Sequence, residues 1–358
     1  PTEDRLHRAE QLVSQAAQQG AKLVALPELF NIGYEYSDDL YLRAERMDGI
    51  TVTWMKRIAS QQGVHLAGTL LIVDADHVYN RAVLAAPDGR MWTYDKNYPW
   101  AFERAYYRDG RTITVADTDL GRIGLMICWD YAHADLWQRY AGRVSLMLVM
   151  SCPPAIASTL RGAVEVDMHG AYFKGTPDPF GADLDAQAGW MGVPLIHASG
   201  SGHLKTQIPR ARLAMLGMGV MGQPDLLGKA RDASAMVFES DFYGKAKIVD
   251  GQGARLAEII EAGDSVVVSE ITVHDYPPTP EGEQPAFNMK RMAYWMSDTL
   301  TPFLMYPLYR EGYRKRFGKS FAPIDASTRR WRWGLAAAFF VGTQMGGNKA
   351  VVKVERKK

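Results

Sequence analysis

The chain has 358 residues, with 41 Lys and Arg against 40 Asp and Glu and a hydrophobic content of 47%. That near balance gives no electrostatic footprint for nucleic acid, and the length suits one large domain with an extension, or two domains. Two cysteines, Cys128 and Cys152, make neither a disulfide framework nor a zinc pattern, and they fit a reducing, cytoplasmic compartment in which a free thiol persists.

Residues 3–19 predict an amphipathic helix: Leu6, Ala9, Leu12, Val13, Ala16 and Ala17 follow helical spacing, and Gly20 stops it. A short buried strand over 22–26 ends at Pro27-Glu28. A second cycle follows, with a helix over 40–61 and strands over 64–73, 79–86 and 91–94, the last running into Asp95-Lys96. Strands at 112–116 and 122–128 flank a turn at 119–121. A helix over 134–141 and an apolar strand over 144–150 come next. Residues 155–192 read as mostly helical and 193–198 as a strand. The Gly- and Met-rich stretch 200–233 reads as a long excursion, of the kind that is usually functional or interfacial. Strands resume at 235–239, 246–249, 255–260 and 265–273. The alternation predicts an α/β or layered α-β-β-α domain over 1–275. Pro277, Pro278 and Pro280 then open a C-terminal extension, 276–358, rich in Tyr, Arg, Trp and Met.

The stretch 121–130, Gly-Arg-Ile-Gly-Leu-Met-Ile-Cys-Trp-Asp, organises this pattern. A buried strand ends at Cys128 and breaks into a turn ahead of a helix, which lifts a nucleophile out of a sheet and aims backbone N–H groups at it. The same position suits a buried structural cysteine. Two further groups also stand just after core strands: Glu28 in Leu-Pro-Glu-Leu-Phe and Lys96 in Tyr-Asp-Lys-Asn. If the strands lie side by side, the three side chains meet at one sheet edge. A carboxylate there can take the thiol proton, and an ammonium can stabilise both the thiolate and the oxyanion formed on attack.

These three motifs, in this order, resemble those of the nitrilase superfamily of carbon–nitrogen hydrolases. Residues 27–34 resemble its glutamate motif, 94–99 its lysine motif and 121–130 its nucleophile motif, and the likeness runs to about residue 273. The resemblance implies a four-layer αββα sandwich, no cofactor, and a Glu28–Lys96–Cys128 triad supported by Glu103 in Phe-Glu-Arg-Ala-Tyr-Tyr. It places the backbone N–H of Trp129 at the oxyanion. The family has a strand before its first helix, which this chain begins too late to contain. After the nucleophile the family commonly has an Arg or aromatic pair and then Pro-Glu; here Tyr-Ala-His-Ala-Asp (131–135) stands instead.

The expected reaction is amide or N-carbamoyl hydrolysis, to which Asp130 tips the choice, with nitrile hydrolysis as the alternative. Cys-Trp-Asp is similar to amidases and carbamoyl-hydrolysing members, whereas chain length and the long extension resemble the nitrilase branch. A nitrilase-fold scaffold without turnover is the further alternative. The aromatic set Tyr34, Tyr36, Trp100, Tyr106, Tyr107 and Trp129 suits a pocket lining or equally core packing, with Tyr34 and Trp129 the expected substrate contacts. His133 reads as a cap or surface group, and the eight histidines form no HExxH-like metal cluster. Cys152 reads as a pocket-wall or packing residue. The extension suits a homo-oligomer contact. Within it, Arg-Arg-Trp-Arg-Trp and the apolar run after it (329–341) also fit a membrane-surface anchor too short to span.

Overall fold

A computed structural model describes residues 2–318, apart from 76, 155–156, 162–163, 168–173, 175–177, 221–223, 234–236 and 261–262. The 329–341 stretch lies outside the described residues. Alternation along the strands decides the layers. The first sheet has the order β1 (Leu23–Ala25), β2 (His65–Asp74), β3 (His77–Ala85) and β4 (Met91–Asp95). Leu66, Leu70, Ile72, Val83 and Ala85 face the helices Thr2–Gln18 and Ile50–Gln62, which bury Leu6, Val13, Met55 and Ile58 against them. Ala67, Ala82 and Leu84 face the other way, into a second sheet.

That second sheet contains β5 (Val115–Thr118), β6 (Gly121–Ile127) and β7 (Leu146–Ser151). Ile123, Leu125, Ile127, Leu146, Leu148 and Met150 meet the first sheet, while Met126, Met147 and Val149 turn outward. The helices Ala134–Tyr140 and Pro179–Met191 cover that outer face. The result is the expected α-β-β-α stack. Because β7 is covered on both faces, it reads in the sequence as an unbroken apolar run.

The chain between the layers departs from expectation. Residues 155–192 are not mostly helical: β8 (Ala157–Arg161) and β9 (Val164–Asp167) precede the helix Pro179–Met191. They form a third, antiparallel sheet of order β11-β12-β8-β9, where β11 is His203–Gln207 and β12 is Val237–Asp241. The excursion 200–233 therefore carries structure, including the helices Ala211–Val220 and Asp225–Lys229. β10 (Leu195–Ser199), β13 (Lys247–Val249) and β14 (Arg255–Glu258) complete the second sheet in the order β14-β13-β10-β7-β6-β5.

Two other expectations fail locally. The helix foreseen over 40–61 is two helices, Asp39–Arg43 and Ile50–Gln62. Between them the backbone of Glu45 bonds that of Leu71 and Val73 beside β2, which pulls the chain straight. The second helix stops where Gly63 adopts φ 64° and returns its N–H to Ala59, a left-handed cap that a side chain would strain. The strand foreseen over 265–273 makes no ladder. It runs along a cleft of about 1450 Å³ that Leu23, Val24 and Ala25 also line.

The described part of the extension folds back on the rest. A helical run of Arg291–Tyr294, the wide π-turn Trp295–Leu300 and Thr301–Phe317 buries Met305, Tyr309 and Tyr313 beside Tyr41 and Tyr106. Tyr309 Oη accepts the Val78 N–H at 3.2 Å. Gly312 permits this approach: a Cβ there would run into the Tyr41 ring.

Candidate active site

Strand direction brings the chemistry together. β1 is parallel to β2, and β3 and β4 each reverse, so β1 and β4 end at the same edge of the first sheet. Glu28 follows one and Lys96 the other. In the second sheet β6 runs parallel to β7, and the Glu28 N–H reaches Ser151 O at the end of β7. Cys128, just past β6, therefore stands over the same edge. Three residues at this edge hold a positive φ rare for side-chain-bearing residues: Leu29 at 51°, Ala101 at 39° and Cys128 at 47°. Each sits in a turn carrying one of the expected groups. Such strain persists only where surrounding bonds hold it. The Leu29 N–H donates to Thr69 Oγ1, and Asp130 Oδ2 accepts the Ile127 N–H.

The groups form one buried cluster. Lys96 Nζ donates to Glu28 Oε1 and to Glu103 Oε2, both at 2.7 Å, and all three side chains are essentially without solvent exposure. Asn80 Nδ2 donates to Glu28 Oε1 at 2.7 Å, and the Cys152 N–H to Glu28 Oε2 at 3.1 Å. Glu103, in the turn Ala101–Ala105, accepts from Tyr34 Oη at 2.5 Å and from the Trp100 N–H at 2.6 Å. Cys128 lies close enough to this cluster for the Glu28 carboxylate and the Lys96 ammonium to act on its thiol.

Two carboxylates and one ammonium cannot all be charged without leaving a net negative charge in a dry site. Burial accordingly pushes Glu28 up to about 7; Lys96 pulls against it, and the Glu103 charge adds to the rise. Burial works against the Lys96 charge too, but the Glu103 and Glu28 carboxylates outweigh it and raise its pKa. Burial, then Glu28, push the Cys128 thiol well up, with Lys96 opposing. At rest the sulfur keeps its proton, and Glu28 is the adjacent group poised to receive it near neutral pH.

Glu28, Lys96, Cys128 and Glu103 are thus brought together. Tyr34 stands beside them, but its hydroxyl is committed to Glu103 and lies 3.0 Å from Tyr36 Oη. Trp129 is the second residue of the turn Cys128–Ala132, next to the thiol, and its indole N–H donates to Asp298 Oδ1 at 3.1 Å. Cys152 packs in the core and lines the cleft, as expected, and its backbone N–H also donates to Glu28. His133 is no surface group. It is buried, stacks on Tyr98 at 3.5 Å, and holds its two ring nitrogens 3.0 Å from Trp129 O and 3.1 Å from Asp298 Oδ2. Asp130 faces the fold: it accepts from Tyr94 Oη at 2.7 Å and from the Ile127 and Tyr98 N–H groups at 3.0 and 2.8 Å. Its carboxylate builds the nucleophile turn, so the Cys-Trp-Asp signature is tied to turn geometry here.

Sequence reasoning missed Asn80 and Asp298. Asn80 sits in β3 between Tyr79 and Arg81, and a buried amide on a central strand is a signal that could have found it. Asp298 carries no local signal.

Glutamate, lysine and cysteine at strand ends thus meet at one edge of a four-layer stack. The chain belongs to the carbon–nitrogen hydrolase family, whose model matches residues 2–160. The omega-amidase NIT2 of Mus musculus is 30% identical over 206 residues, covering 52% of this chain and 73% of that protein. A Pyrococcus abyssi protein named nitrilase is 33% identical over 128 residues, 35% of this chain and 49% of its own length. The chain spans about half the length of most of the curated relatives it matches. Among solved structures, an amidase from Nesterenkonia superposes with a TM-score of 0.51 at 19% identity, over 74% of this chain and 82% of that one. Saccharomyces cerevisiae Nit3 gives 0.54 at 19% identity, over 74% and 82%. These likenesses support the fold.

Proposed function

We propose that this protein hydrolyses non-peptide carbon–nitrogen bonds as an amidase or N-carbamoyl amidohydrolase, releasing ammonia through a covalent Cys128 acyl-enzyme. The observation that carries the reading is the Lys96 ammonium held between Glu28 and Glu103 beside a thiol on a strained turn. As Cys128 Sγ attacks the carbonyl carbon, Glu28 takes the thiol proton and the carbonyl π electrons move to oxygen. Lys96 and the Trp129 N–H stabilise that oxyanion. The oxyanion collapses, the C–N bond breaks, and Glu28 delivers its proton to nitrogen, so ammonia leaves and a thioester remains. Water then attacks the thioester with Glu28 as base. The acid departs and the thiol regains its proton. Glu103 keeps Lys96 charged and in place throughout.

The Pyrococcus relative's name keeps the nitrile reading in view. There, attack gives a thioimidate that must add water before ammonia leaves. Ammonia release from a panel of amides, N-carbamoyl compounds and nitriles, with Cys128→Ala beside the wild type, separates the readings. Turnover of amides or carbamoyl compounds, lost in Cys128→Ala, is expected. Preference for nitriles selects the second reading, and an inert thiol with no turnover selects the scaffold. The same proposal includes a homo-oligomer in which the extension makes contact between subunits, in line with the exposed Met292 and Phe303. Sedimentation at several concentrations tests it.

A further inference from the structure

We infer that Asp298, from the C-terminal extension, is a positioning residue that fixes the nucleophile turn relative to the turn bearing Glu103. One carboxylate spans both. Its Oδ1 accepts the Trp129 indole N–H at 3.1 Å and lies 3.4 Å from Arg104 Nη2, while Oδ2 lies 3.1 Å from His133 Nε2. Trp129 adjoins Cys128 and Arg104 adjoins Glu103, so one side chain links the immediate neighbours of two site residues. His133 closes the loop back to the turn, its other ring nitrogen 3.0 Å from Trp129 O.

Independent bonds orient the carboxylate. Asp298 lies in the π-turn Trp295–Leu300, a rare wide turn that often marks functional positions. The turn directs Ser297 O to accept from Arg104 Nε at 3.1 Å, so backbone and side chain of consecutive residues grip the same buried guanidinium. Just upstream, Tyr294 Oη donates to Ala132 O at 2.7 Å, a second tie to the nucleophile turn. An ordinary surface ion pair has no such set of partners and is worth little. Here the carboxylate is four-fifths shielded and meets donors that differ in chemistry and direction. Cys128 holds a positive φ that its own residue type disfavours, so the placement of its sulfur depends on such outside restraints.

The inference rests on Cys128 being the nucleophile but not on any substrate class. The test follows iodoacetamide alkylation of Cys128 by peptide mass, with Cys152 as an internal reporter of fold opening, in wild type, Asp298→Asn, Asp298→Glu and Trp129→Phe. Where a substrate is found, kcat and KM are measured alongside. Asp298→Asn is expected to slow Cys128 alkylation and lower kcat by about ten-fold, with KM and Cys152 labelling near wild type, since small misplacements of a reacting group cost rate steeply. Asp298→Glu should recover part of the loss. Trp129→Phe, which removes one donor, should shift the rate the same way, and its effect should not add to that of Asp298→Asn. Wild-type alkylation and kcat in Asp298→Asn would overturn the inference. So would losses matched by faster Cys152 labelling, which would make Asp298 a general staple. If no substrate turns over in the wild type, the proposed activity fails while the alkylation arm still decides the role of Asp298.

Discussion

The two sides of the candidate site are built in opposite ways. On one side Glu28, Lys96 and Glu103 leave strand ends of a single sheet and an adjoining turn. Every bond among them is 2.7 Å, and solvent is excluded. On the other side Asp298 reaches Trp129, His133 and Arg104 across 169, 165 and 194 positions of sequence, at 3.1–3.4 Å and partly open to water. The sealed side sets charge and proton affinity, because a low dielectric magnifies each neighbour. The open side sets where the reacting sulfur stands. Chemistry and alignment are thus divided between an early scaffold and a late segment, and substitutions should separate them.

The largest effect belongs to the sealed side. Lys96→Met should lower kcat by about 10²–10³, the loss that follows removal of an oxyanion donor. It also leaves two buried carboxylates facing each other, so stability should fall by about 3–5 kcal/mol, read by denaturant unfolding. A fold of unchanged stability would break the claim that this ammonium neutralises the cluster.

The pH profile comes next. Glu28 must be ionised to accept the thiol proton, and burial raises its pKa to about 7. The reactive form is therefore lost as pH falls through about 7, and kcat/KM should rise across that value toward alkaline pH. Asn80→Ala sharpens the point. Its amide donates to the carboxylate, favouring the charged form, so its removal raises the Glu28 pKa further. The acid limb should move to higher pH by about one unit, the scale of one hydrogen bond to a charged group. A shift to lower pH would assign the limb to another group.

The smallest change concerns the turn alone. Tyr94→Phe removes one of three donors to buried Asp130 and should cost about 1.5–3 kcal/mol of stability. Its effect on kcat should stay well below that of Lys96→Met, because two backbone donors still hold Asp130.

Legibility in the sequence follows the same division. Glu28, Lys96 and Cys128 could be read because each stands just after a strand, and strand ends of like direction share an edge. The two-faced burial of β7 was visible as an apolar run. β8 and β9 were missed in a stretch read by length and apolar content as helix, although Val-Glu-Val-Asp over 164–167 alternates with the period of a strand. The 265–273 stretch has strand composition but no ladder, since pairing depends on a neighbour that composition does not supply. Asp298 was invisible because its role exists only once the extension folds back. Asn80 was overlooked because an amide beside Arg81 reads as an ordinary polar strand position until its partner is known.

The central claim is that Cys128 carries the acyl group with Glu28 as its base. The most direct measurement is acid-quenched turnover followed by peptide mass mapping, with a substrate identified from the ammonia panel. The account predicts an added mass equal to the acyl group on the Cys128 peptide, absent in Cys128→Ala and strongly reduced in Glu28→Gln. Ammonia release that survives in Cys128→Ala, or an adduct on Cys152 with Cys128 unmodified, would contradict it.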